Sequence, residues 1–281
     1  MPWFTKVADF LSAYSLLTAL VFALPVYFSA RLYEVSLPFI FFLLAFLVGL
    51  AIYSYNKVTD KNEDIQNGKK YEAINPFVYS TVPPAIYSVL AVTLGLLVGG
   101  LWVSLVLLVP LIVGFLYSKK VFNSLPRLKD VLGVKNIAVA FSIAFIGCLF
   151  PILGGVTVMF KVVFLVFMYI FVQLFINTVL FDIFDMKGDG ETEVNTLPLR
   201  FKKKPTVYFL LIINTLLFLW FAFCYISNLF VVRHLLVAAF GIFYNYFCIW
   251  YFTKHTDKRP LAEILVDGLW VILATLIIWC I

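Results

Sequence analysis

Charge is what this sequence has least of. Only 13% of its 281 residues are Asp, Glu, Lys or Arg, against 63% hydrophobic, and the mean hydropathy is +1.02. A surface so poor in charge cannot be solvated mainly by water, which excludes an ordinary soluble domain. Histidine is nearly absent, with 2 residues, and the 4 cysteines, Cys148, Cys224, Cys248 and Cys280, are scattered through apolar stretches with no CxxC pair. Neither a disulfide framework nor a zinc site is expected from them. The alternation over about ten residues that marks a membrane barrel strand is missing too. A signal peptide is not indicated, because the apolar run over residues 7–30 outruns the about 7–15 residues of such a segment's core.

What is present is a series of apolar runs, each long enough to cross a bilayer at about 20 residues per span. They lie at 10–30, 37–56, 80–98, 100–118, 136–155, 162–184, 205–227, 229–252 and 262–281. Backbone polar groups inside lipid must be satisfied within each segment, so these runs predict an all-α transmembrane bundle of nine helices. The whole chain, 1–281, is read as a single integral-membrane domain. With these spans drawn, all of the 21 Lys and Arg except Arg31, Lys161 and Arg233 fall on the N-terminal side. The positive-inside rule then puts the N-terminus inside, in a multi-pass protein of the cell membrane. A basic inner face of net charge +6 suits membrane lipid headgroups and anionic substrates, with no nucleic acid implied.

The acids are concentrated as well. Asn56, Asp60 and Asp64 in "NKVTDKNED" recur at i, i+4 and i+8, one side of a helix expected to continue past the membrane edge. Asp182, Asp185 and Asp189 in "DIFDMKGD" share a face likewise, with Gly188 available to loosen the helix end. These clusters follow spans 2 and 6, each second in a set of four. That spacing suggests two four-helix half-repeats with a ninth span appended. Without His or Cys beside them, the six oxygen donors suit a hard ion such as Mg²⁺. Tyr117, Lys119, Lys120, Arg127, Lys129 and Lys135 stand nearby in sequence, with Lys70 in the first acidic loop. Cations between facing acids favour a phosphate ligand. A bundle with 31 Phe, 15 Tyr and 6 Trp can enclose an apolar tail and shield positive charge with ring faces.

Other polar residues lie within spans. Glu263 and Asp267, at i and i+4 on span 9, are expected to reach water at a helix end. Gln173 and Asn177, on span 6, either line a cavity above Asp182 or bond to neighbouring helices.

The paired acidic stretches resemble the UbiA superfamily of intramembrane prenyltransferases, whose members carry NDxxDxxxD after the second helix and DxxDxxxD after the sixth. "NTLPLRF" at 195–201 is similar to the family's TLP-containing loop, and "LYSKKVFNSLPRLKD" and "VKNIAVAF" to its segment after span 4. The chain departs from the pattern at Lys57, where an Asp is common. It also departs in "NGKKYEAIN", which keeps Asn67 and Lys70 of a longer family stretch, and in a Tyr–Lys spacing shorter than YxxxK.

The resemblance implies a Mg²⁺-dependent transferase that moves a polyprenyl group from a polyprenyl diphosphate to an apolar acceptor, either an aromatic or quinone precursor or a lipid or isoprenoid. Asn56, Asp60, Asp64, Asp182, Asp185 and Asp189 would hold the metal. Asp60, Asp64, Asp182 and Asp185 would be catalytic, and Asn56, Lys70, Tyr117, Lys119, Lys120, Arg127 and Lys129 would bind the diphosphate. A non-catalytic relative and a divalent-cation transporter stay open as alternatives. The near absence of carboxylates from the outer half, Glu34 excepted, leaves a transporter no evident exit.

Overall fold

The structure is a computed structural model; it describes residues 10, 14–61, 76–121, 126–155, 157–191, 194–256 and 259–279, with Pro76, Val78, Arg259 and Pro260 by backbone alone. Among these residues it is all-helical: α1 Leu16–Leu32, α2 Phe39–Thr59, α3 Val82–Ser118, α4 Val134–Leu153, α5 Phe160–Glu191, α6 Leu197–Phe201, α7 Lys203–Ile226, α8 Val232–Phe252 and α9 Arg259–Trp279. Short 3₁₀ turns occupy Pro76–Tyr79 and Leu128–Asp130. Seven helices are long and apolar enough to cross a membrane, and α1 is a shorter apolar helix.

The longest helix contains two crossings. A straight α3 of 37 residues would run about 55 Å, nearly twice a hydrocarbon core. Instead the Ser104 hydroxyl donates to the Val92 carbonyl at 3.1 Å, although twelve residues would separate them by about 18 Å along one axis. The reversal happens at Gly100, whose φ of 67° and ψ of −158° suit only a residue without Cβ. The sequence break between 98 and 100 is therefore a hairpin, and the nine expected crossings are present. Only 22% of α3's apolar window is buried in the protein, so its outer surface is left for lipid.

Helices adjacent in the chain pack on one another, and α9 returns against α1 to close the bundle. Apolar burial gives little net gain between helices in lipid, so close approach and buried polar contacts must hold them. A Cβ added at Gly49 of α2 would lie 2.8 Å from the Cα of Ala19 on α1. Gly49→Ala is expected to cost about 1–3 kcal/mol, because backbone must move to admit the methyl group. Thermal unfolding in detergent checks this, and an unchanged midpoint would contradict it. Deeper in, the Phe28 ring stacks on Tyr169 at 5.6 Å and meets Trp270 edge-on at 5.9 Å.

The expectation for span 6 resolves in favour of interhelical bonding. Asn245 of α8 donates to Gln173 of α5 and, at 3.4 Å, to Asn214 of α7; Asn214 in turn donates to the Ile242 carbonyl at 3.0 Å. Asn177 donates to the Val266 carbonyl of α9 at 3.3 Å. Two helix ends also depart from expectation. The α5 helix runs unbroken through a buried Gly188 to Glu191, while α2 stops at Thr59 with Asp60 as its C-terminal cap.

Candidate active site

The α5 helix, at about 48 Å, is longer than a bilayer core, and its apolar part ends where Asp182 begins. The α2 helix ends at the same level, with the Asp60 amide donating to the Asn56 carbonyl at 2.8 Å. The loop between α3 and α4 brings Lys129 to the end of α2. It is stiffened by Arg127, whose side chain grips the Asp130 carboxylate at 2.8–3.2 Å while its own amide donates to the same carboxylate at 3.2 Å. Burial pushes the Asp130 carboxyl up, and the hydrogen bonds and charge of Arg127, with the charge of Lys129, outweigh that and hold it below 3.8.

This bracing seats Lys129, whose side chain is 3% exposed, against Asp60 with a Nζ–Oδ1 distance of 2.5 Å. The Thr59 hydroxyl donates to the same oxygen at 3.0 Å. On the facing side, Lys135 in the first turn of α4 lies between two aspartates, 2.7 Å from Asp182 and 3.4 Å from Asp189. The next residue, Asn136, donates to the other Asp182 oxygen at 2.8 Å. Asp182 and Asp189 are 2% and 6% exposed, buried too deeply to be charged without such partners. Asp185 is half-buried between them along α5.

Asn56 and Tyr117 lie at the same end of the bundle. The Ser118 hydroxyl donates to Asn56 Oδ1 at 3.1 Å. Tyr117 is the residue before Ser118, at the same end of α3. Asn56 and Tyr117 line an apolar cavity together with Tyr53 and Ile52 of α2, Gly114 of α3, Ser142 of α4 and Phe22 of α1.

The structure thus brings together Asn56, Asp60, Tyr117, Lys129, Asp182 and Asp189. It does not bring Arg127 to the acids as a free donor, since Asp130 holds it. Lys119 and Lys120 are exposed, and Lys119 lies over the Phe115 ring at 5.7 Å. Asp64 and Lys70 lie outside the described residues. Lys135 was expected among the cations near the acids but not as the bridge between two aspartates, and Asn136 is a site residue that the sequence reading missed. Their only sequence signal is a cation and an amide placed where a basic loop meets a span, which topology alone also produces. Asp267 does not reach water as expected; it is 9% exposed inside the bundle.

Among the described residues no three Asp, Glu, His or Cys side chains form a ready metal site. Each acidic motif instead holds an ammonium group. The donors are carboxylate and amide oxygens only, already arranged around cations, and this set fits a hard divalent ion.

The chain matches the model of the UbiA prenyltransferase family over residues 12–266. It belongs to that family. Solved UbiA structures share its fold. A UbiA homolog from Aeropyrum pernix K1 matches with a TM-score of 0.70 at 14% identity, over 92% of this chain and 96% of that one. A UbiA homolog from Archaeoglobus fulgidus, bound to DMAPP and Mg²⁺, matches with a TM-score of 0.68 at 14% identity, over 96% and 99%. A structure of digeranylgeranylglyceryl phosphate synthase matches with a TM-score of 0.63 at 16% identity, over 98% and 96%. No curated protein matches the chain. In this UbiA protein the acidic ends of α2 and α5 and the cavity below them are the candidate active site.

Proposed function

We propose that this UbiA protein is a Mg²⁺-dependent transferase that moves a polyprenyl group from its diphosphate to an apolar acceptor within the membrane. The observation that carries the reading is an oxygen-rich, lysine-balanced mouth opening onto an apolar cavity, a shape that suits a ligand with a charged head and a greasy tail. Support comes from the Archaeoglobus fulgidus homolog, bound with Mg²⁺ to DMAPP in one structure and to GPP in another.

Asn56, Asp60, Asp64, Asp182, Asp185 and Asp189 are the residues that would hold the ion. Bound there, Mg²⁺ would neutralise the diphosphate as it leaves. Lys129 and Lys135, now held on carboxylates, would be the ammonium groups available to the phosphate oxygens with the ion bound. Tyr117 and Tyr53 line the path of the tail and exclude water from the allylic carbon, so that the acceptor and not water is alkylated. The gathering of basic residues at this end of the bundle supports a site that faces the cytoplasm from the cell membrane.

The test is incubation of the purified protein with radiolabelled geranylgeranyl diphosphate and a total-lipid extract, with Mg²⁺ or with EDTA. Label is expected in a new lipid only with Mg²⁺, and the product's mass identifies the acceptor. A folded protein that moves no label from geranylgeranyl, farnesyl or longer donors would favour a non-catalytic relative.

A further inference from the structure

The cavity is short along the helices that form it. Its lining runs from Asn56 to Ile52 on α2, from Tyr117 to Val113 on α3 and from Ala138 to Ser142 on α4. Each stretch is one helical turn, about 6 Å along the axis, close to the length of a single extended isoprene unit. Among the described residues the α1 helix contributes Phe22 alone, a side chain 2% exposed.

Just past that turn, α1 closes on both neighbours. A Cβ added at Gly49, the next turn of α2 beyond Ile52, would lie 2.8 Å from the Ala19 Cα and 3.1 Å from Phe22 Cδ2. A Cβ added at Gly147, the next turn of α4 beyond Ser142, would lie 3.1 Å from Pro25 Cβ. Glycine at both places lets α1 approach α2 and α4 too closely for a hydrocarbon tail to pass between them. The Phe22 ring fills what is left of this end. It meets the Tyr53 ring edge-on, with centroids 6.1 Å apart and planes at 81°, and it lies against Gly49. Of the groups that close the cavity here, the Phe22 side chain is the one that can be trimmed without moving backbone.

We propose that Phe22 sets the length of prenyl tail that this protein prefers, with geranyl favoured over geranylgeranyl. The inference rests on the transferase reading. With the diphosphate at the acidic end, the first isoprene unit occupies the turn from Asn56 to Ile52, and the next reaches the Phe22 ring. Each unit beyond these either displaces the ring, giving up its packing on Tyr53 and Gly49, or turns out of the cavity and gives up its enclosure. Longer donors are therefore turned over at a lower kcat/KM. Phe22 meets the far end of the tail and not the ionising carbon, so it selects among donors and leaves the chemistry alone.

The experiment measures kcat/KM for geranyl, farnesyl and geranylgeranyl diphosphate, with Mg²⁺ and a total-lipid extract, in the wild type, Phe22→Leu, Phe22→Ala and Phe22→Trp. The wild type is expected to favour geranyl over geranylgeranyl by about 10-fold or more, a discrimination within the reach of an apolar pocket against surplus methylenes. Phe22→Leu should narrow that ratio, Phe22→Ala should erase or invert it, and Phe22→Trp should widen it. Lost packing alone lowers all three donors together and leaves the ratio where it was. An unchanged ratio in Phe22→Leu would therefore overturn the proposal. A wild type that uses the three donors equally, or geranylgeranyl best, would overturn it without any variant having to fold. A wild type that turns over no donor of any length overturns the transferase reading itself, so the two failures are distinct.

Discussion

Lys129→Met is expected to destabilise the ligand-free protein by about 3–5 kcal/mol, the usual cost of leaving one partner of a buried ion pair behind. Lys129 and Asp60 are 2% and 7% exposed, so water cannot replace the lost ammonium group. The same substitution should make the protein more responsive to ligand. In the wild type a divalent ion reaching Asp60 must displace Lys129; in the variant it fills a place already vacated. Thermal unfolding with and without Mg²⁺ and inorganic diphosphate reads both effects. A larger upward shift in the variant than in the wild type is the expected result. Equal shifts, or a variant as stable as the wild type without ligand, would mean that Lys129 does not stand in for the ion.

Asp182→Asn is expected to lower prenyl transfer by about 10²–10³-fold, the loss typical of removing one electrostatic stabiliser from a closed site. The fold should survive. Asparagine keeps the shape of the side chain and can still accept from Lys135, which retains Asp189 at 3.4 Å. One hydrogen bond, that from Asn136, is lost or reversed, at about 1–3 kcal/mol. Turnover of radiolabelled donor beside a melting curve separates the two. Turnover within tenfold of wild type, in a protein equally folded, would remove Asp182 from the site.

The parts of this molecule set by solvent were legible in the sequence. Lipid demands uninterrupted apolar helices, so the crossings could be marked from hydropathy, and the non-helical conformation at Gly100 within the long α3 was already visible as a boundary between spans. The acidic motifs were legible for the same reason, since each ends a helix at the bilayer edge where periodicity still operates. Pairings across the bundle were not. Lys129 meets Asp60 across 69 residues, and Lys135 meets Asp189 across 54. Nothing local distinguishes these lysines from Lys119 and Lys120, because a loop at a membrane edge is often basic whether or not it binds phosphate. Arg127 has the right chemistry for diphosphate, yet Asp130 three residues on makes a local grip that wins.

Asp267 shows the limit from the other direction. Its place near the start of a span suggests access to water, and only the packing of α9 against α1, α5 and α8 reveals that the carboxylate is enclosed. Short segments were also hidden. The five-residue α6, within the TLP-like stretch, starts at Leu197 with Pro198 as its second residue and packs against α5 and α7, with no periodic pattern to announce it.

The central claim is that the ends of α2 and α5 seat a metal-bound diphosphate while the cavity beneath takes the prenyl tail. The most direct measurement is a structure determined with Mg²⁺ and farnesyl thiodiphosphate, whose sulfur bridge resists ionisation. The account predicts the diphosphate between Asp60 and Asp182, Lys129 and Lys135 turned from the carboxylates to its oxygens, and the tail running past Tyr117 and Tyr53 toward Phe22. An analogue bound elsewhere, or a tail outside that cavity with both lysines still on their aspartates, would contradict it.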